Sequence, residues 1–126
     1  MMMKKHLHNS LRALFLSLAV LLSLPMQAQI RVEIEGINYE LDGETKEATV
    51  IAKSGGEYSG IIVIPESVEH ETVTYSVTGI GSQAFFSCSS LESVAIGNSV
   101  MSIGDHAFFR CDDLESVTIG NSVESI

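Results

Sequence analysis

Basic residues are scarce in this chain, and beyond residue 28 there are four: Arg31, Lys46, Lys53 and Arg110. All 16 acidic residues lie in the same portion, so its net charge is 4 − 16 = −12. A surface of that sign repels phosphate backbones and anionic headgroups, which excludes nucleic acid as a partner. Long apolar runs are missing too. The best, Ala13 to Leu24, is broken by Ser17 and Ser23 and falls short of the roughly 20 residues a membrane-spanning helix needs. Lys4, Lys5 and Arg12 precede it, and Pro25, Met26, Gln27 and Ala28 follow, which is the layout of a secretory signal peptide cut near Ala28. No cysteine stands at the end of the run, so a lipid-modified signal is not expected. The reading is export across the membrane, with no insertion once residues 1–28 are removed.

Patterns that carry catalysis are likewise absent. There is no G-x-S-x-G, no glycine loop that would cradle phosphate and no carboxylate pair in a pocket-forming context. His70 and His106 have no second ligand at a recurring metal spacing, and read as surface residues. Asp105, Asp112 and Asp113 could gather at a calcium ion, but a cage of about six oxygens needs a tighter loop, and a solvated acidic edge is the plainer reading. No enzyme activity, cofactor or metal is expected.

What the chain does have is a repeat. Set above residues 103–125, residues 80–102 are identical at 16 of 23 positions without a gap, and Ile126 opens a further copy. A period in the twenties marks a stacked array in which no unit can bury its apolar face alone. Ile80, Ala84, Phe85, Cys88, Leu91, Val94, Ile96 and Val100 recur as Ile103, Ala107, Phe108, Cys111, Leu114, Val117, Ile119 and Val123, which makes them the inward set. Leu91, Val94 and Ile96 follow an L-x-x-L-x-L spacing, and the alternation around Ala95 predicts one short parallel strand per repeat. The segments "IGSQAFFSCSSL" and "IGDHAFFRCDDL" lack that alternation and predict turns with one or two helical turns on the convex side. Gly97, Asn98 and Ser99, and their equivalents Gly120, Asn121 and Ser122, are turn residues.

Upstream, "IVIPESV" at 62–68 aligns with "VAIGNSV", so the array begins earlier. Nine extra residues separate Val68 from Ile80 by comparison with later copies, and Val73, Tyr75 and Val77 alternate there as an excursion strand. "INYEL" and "ATVIA", joined across Gly43, predict a hairpin that caps the N-terminal end. The expected organisation is a mainly β repeat solenoid. It comprises a signal peptide at 1–28, a β-hairpin cap at 29–60 and leucine-rich repeats at 61–126, with a degenerate unit at 61–79 and full units at 80–102 and 103–125. Ile126 is an inward position, and the uncapped last unit invites end-to-end association.

The unit I-G-x-x-A-F-x-x-C-x-x-L-x-x-V-x-I-x-x-S-V resembles the BspA-like bacterial leucine-rich-repeat family, and "GINYEL", "YSGIIVIPESV" and "TYSVTGIG" look like that family's N-terminal cap. Departures are Gly97 and Gly120 where Pro is common, Thr72 where Gly is usual, and Ser87 and Arg110 where Gly or Asn often precedes the cysteine. The resemblance implies the bacterial cell surface, the periplasm or the extracellular space. It also implies no enzyme activity, and adhesion or binding to a protein partner such as a host or extracellular matrix protein.

Candidate binding residues fall in two groups. The outward strand positions Ser93, Ala95, Ser116 and Thr118 are small and form a flat face. Phe86 and Phe109, second in each "AFF", stand beside the inward Phe85 and Phe108; either they form an exposed aromatic ladder or they fold back on the next layer. Cys88 and Cys111, one repeat apart, read as buried thiols rather than a disulfide.

Overall fold

The computed structural model describes residues 29–126; the signal-peptide expectation for residues 1–28 lies outside the described residues. Among those residues there are strands and turns and no helix.

The first part of the chain builds an antiparallel meander of β1 (Gln29–Ile34), β2 (Ile37–Asp42) and β3 (Glu47–Ile51). Glu35 and Gly36 make the first bend with φ of 49° and 85°, the two left-handed positions that match the twist of a tight hairpin. At the second bend the Asp42 carboxylate accepts hydrogen bonds from the backbone N–H groups of Glu44 and Thr45, at 2.8 and 3.1 Å. These bonds hold its pKa below the ordinary aspartate value. "INYEL" and "ATVIA" thus pair, with Tyr39 opposite Val50, and β1 adds a third strand that the sequence reading did not separate from them.

β3 then runs parallel to β6 (Val73–Ile80), which folds back on β5 (Ser67–His70) as a hairpin turning at Glu71 and Thr72. The end of β6 continues the ladder into the next unit: Gly79 and Ile80 pair with Ser102 and Ile103 of β8 (Ser102–Ile103), and Ser102 bridges to Ser125. A second, wholly parallel sheet is made by β4 (Gly60–Ile64), β7 (Leu91–Ile96) and β9 (Ser116–Thr118). Ile62 lies opposite Val94, and Val94 opposite Val117. Successive passes of the chain are therefore stacked in register.

Apolar side chains between the two ladders form one core. Leu41, Val50, Val77, Phe85, Leu91 and Val100 have no exposed surface. Phe85 and Phe108 stack with parallel rings at 5.2 Å, and Tyr58 closes the column at 4.9 Å from Phe85. The rungs approach so closely that glycine is required at Gly104, where an added Cβ would lie 2.5 Å from the Ser82 nitrogen.

The helical turns expected in the "AFF" segments are not formed. Gln83, Ser87, His106 and Arg110 all adopt left-handed φ between 55° and 62°, which interrupts a right-handed helix. Their segments spend N–H groups on the neighbouring rung instead. Gln83, Phe85 and Ser87 donate to the carbonyls of Asp105, Ala107 and Phe109, at 3.0, 2.8 and 2.7 Å. The turn side of the stack is thus hydrogen-bonded from rung to rung as the strand side is.

Candidate functional site

Alternation along the second sheet places Ile62, Ile64, Val94 and Ile96 toward the core, and the residues between them outward. Ser93 and Ala95 on β7 are half-buried, and Ser116 and Thr118 on β9 are exposed. All four belong to one face. That face is flat only over β7 and β9: on β4 the equivalent positions carry Ile61 and Val63, which are 73% and 63% exposed. The sequence reading chose neither as a binding residue, although it aligned Val63 with Ala95 and Thr118 and so with an outward slot.

Phe86 and Phe109 occupy the other side of the rung, on the turn ladder. They are 39% and 50% exposed, with ring centroids 5.6 Å apart and planes inclined by 26°. The two alternatives considered for them coexist, since each ring packs on its neighbour and still keeps part of its surface exposed. His106 meets Phe109 edge-on at 5.5 Å, and the Arg110 guanidinium carbon lies 5.9 Å from the centre of the same ring. A cation over an exposed aromatic face is worth about 0.5–1 kcal/mol, enough to bias the ring's position without burying it. The six candidate residues therefore form two groups, one on the strand sheet and one on the turn ladder.

Neither thiol is prepared for chemistry. Cys88 is buried and Cys111 half-buried, and both are free. Burial pushes both pKa values above the ordinary cysteine value, so the reactive thiolate is disfavoured at neutral pH. The Cys111 thiol donates to the Phe85 carbonyl at 2.9 Å, linking one rung to the next. His70 lies 3.7 Å from Glu71 at the excursion hairpin. Asp112 and Asp113 line an open depression with Glu92 and Glu115, apart from Asp105. Among the described residues no three His, Cys, Asp or Glu side chains are grouped to hold a metal ion.

Tyr58 was not singled out from the sequence, because it falls in the irregular first unit and has no copy in the repeat. Its hydroxyl accepts from the Asn38 backbone N–H at 2.9 Å and donates to the Ile51 carbonyl at 2.7 Å, while its ring packs on Phe85. One side chain thereby joins the meander to the stacked rungs.

Residues 65–126 match the family model of the BspA type leucine rich repeat region, described as six copies. Among solved structures, a leucine-rich repeat protein from Bacteroides ovatus is similar over 74% of this chain and 24% of its own, at 29% identity and a TM-score of 0.67. A leucine rich cell surface protein from Faecalibacterium prausnitzii is similar over 76% of this chain and 25% of its own, at 31% identity and a TM-score of 0.60. A leucine-rich repeat protein from Bacteroides capillosus is similar over 71% of this chain and 65% of its own, at 29% identity and a TM-score of 0.60. The chain spans about a quarter of the length of the first two. No curated protein matches it.

Proposed function

Residues 65–126 belong to the BspA-type leucine-rich-repeat family, and on that premise we propose that the chain is an exported, non-catalytic module for protein binding or adhesion at the bacterial surface. Leucine-rich-repeat proteins are typically protein-binding modules, and that much follows from the family. The finer reading is ours. Residues 1–28 direct export, residues 29–60 cap the array, and residues 61–126 are its rungs, with a repeat of 23 residues. Phe86 and Phe109 contact a host or extracellular matrix protein, and Ser93, Ala95, Ser116 and Thr118 form a smooth secondary face. One observation carries this reading: the exposed, mutually stacked Phe86 and Phe109 on successive rungs. Aromatic residues, phenylalanine among them, are enriched in protein interfaces relative to the rest of the surface.

The test is the double substitution Phe86→Ser and Phe109→Ser, read against a panel of matrix proteins and host cells with melting measured alongside. Binding should fall by about tenfold or more, the effect of losing an anchor worth over 1 kcal/mol. A lower melting temperature with unchanged binding would end the proposal.

A second reading is favoured by the small, featureless side chains on β7 and β9. In it the segment spaces other parts of a longer array and has no ligand of its own, joining further units end to end through the last rung, where Ile119 and Ile126 are exposed. Reading the gene beyond the codon for Ile126 separates the two.

A further inference from the structure

Edge strands with exposed apolar residues are normally blunted by charge, proline or a bulge, because their unpaired backbone groups are a template for another strand. β4 is such an edge. Among the described residues it is the terminal strand of the sheet ordered β4-β7-β9, with β7 its one partner. Gly60 donates to the Ser90 carbonyl at 2.9 Å, so Gly60, Ile62 and Ile64 face β7. In a parallel pair alternate residues turn their N–H and C=O to opposite sides, which aims those of Ile61 and Val63 at the open edge. No turn or loop among the described residues supplies a backbone partner for them. Apart from Ile126, their side chains are the most exposed large apolar groups among the described residues. The register shift at Gly60 and Ile61, and Pro65 beyond Ile64, bound the open stretch without covering it.

Beside this edge runs a groove with apolar walls from Ile34, Ile37, Tyr39, Val63, Pro65 and Val68. Its charged lining residues are both acidic, Glu35 and Glu69. We propose that the free edge of β4 is a strand-addition site for an extended segment of another protein, with aliphatic residues at alternate positions and basic residues beside them. Main-chain bonds to Ile61 and Val63 would hold the segment, its aliphatic side chains would enter the groove, and its cations would face Glu35 and Glu69. Charge selects this occupant over a second copy of the chain, because a copy brings an identical acidic rim and a like-signed net charge. The proposal rests on the binding-module reading but not on Phe86 and Phe109.

The experiment uses the full chain and a fluorescent heptapeptide of alternating valine and threonine with lysine at each end, beside the same peptide with glutamate at each end. The lysine peptide should bind about tenfold or more tightly than the glutamate peptide. Val63→Pro deletes the outward N–H at a position where an edge strand tolerates proline, and should weaken lysine-peptide binding by about tenfold with little change in melting. Should Val63→Pro lose its fold, the paired variant Ile61→Lys and Val63→Lys carries the test, since charge on the outward face must also reduce binding. Equal binding of the two peptides, or retained binding in the variant that folds, overturns the proposal. Sedimentation showing a dimer that Val63→Pro converts to monomer overturns it in favour of a second copy. The Phe86→Ser, Phe109→Ser protein should keep its peptide affinity, so failure at the strand edge and failure at the aromatic ladder are read separately.

Discussion

Thr72 sits at φ 67°, next to Glu71 at 48°, where the β5–β6 hairpin reverses. Both are left-handed positions, and a β-branched side chain crowds its own backbone there at a cost of about 1–2 kcal/mol. Glycine removes that cost but loses about 0.5–1 kcal/mol through the entropy of the unfolded chain. Thr72→Gly should therefore stabilise the protein by about 0.5–1 kcal/mol, seen as a higher urea midpoint at constant slope. An unchanged or lower midpoint would mean that the turn is not strained. The same geometry accounts for the Gly or Asn usual at the positions of Ser87 and Arg110, which are left-handed with φ of 58° and 62°. The residue types alone do not mark such positions, since φ is set by the closure of the turn onto the next rung; the resemblance flagged Thr72, Ser87 and Arg110 as departures from Gly or Asn without giving the backbone geometry.

Among the elements, the stacked rungs were legible because the repeat prints the inward pattern twice, and Val94 duly pairs with Val117. The joint between meander and rungs was not legible, because Tyr58 is 20 residues from Asn38 and no second copy flags it. The apolar edge of β4 was legible in part, since the repeat alignment puts Val63 in an outward slot, but Ile61 to Ile64 reads as a continuous apolar run and hides which residues are exposed. Tyr58→Phe keeps the ring on Phe85 but strips the partners from the Asn38 N–H and the Ile51 carbonyl. It should cost about 2 kcal/mol, measured by urea unfolding; a loss within error would mean that water replaces the hydroxyl. Burial also raises the Tyr58 pKa, and raises that of Tyr39 from 10.0 to about 12. A phenol with a raised folded-state pKa contributes stability that is complete below the unfolded value. That stability is lost as pH climbs toward the folded one. Melting temperature should hold up to pH 10.0 and fall between there and about 12, and Tyr39→Phe should flatten that decline. A decline equally steep in Tyr39→Phe would assign it to other groups.

Over the whole molecule, burial fades along the stack. Phe85 and Val94 are buried while their equivalents Phe108 and Val117 are half-buried, and Ile96 is buried while Ile119 is exposed. The same side chains in repeats that match at 16 of 23 positions differ in burial according to whether a further rung covers them, which is the nearest-neighbour behaviour of a linear array. If each rung is sealed by the next, one more unit copied from residues 104–126 and appended directly after Ile126, which already fills the place of Ile103, should cover Phe108, Val117 and Ile119. Full burial of one such side chain from complete exposure is worth about 1.5–3 kcal/mol, so completing a half-finished burial contributes roughly half of that, and the ordering of the new unit offsets part of the gain from several. The extended protein should unfold in a single transition, about 2 kcal/mol more stable and with a steeper urea dependence because more surface is exposed on unfolding. Amide exchange in β9 should slow toward the rates of β7, whereas exchange in β2 and β3 should change least, being furthest from the addition. Two separate transitions, or β9 amides that exchange as before, would show that the last rung does not pass its order along the stack.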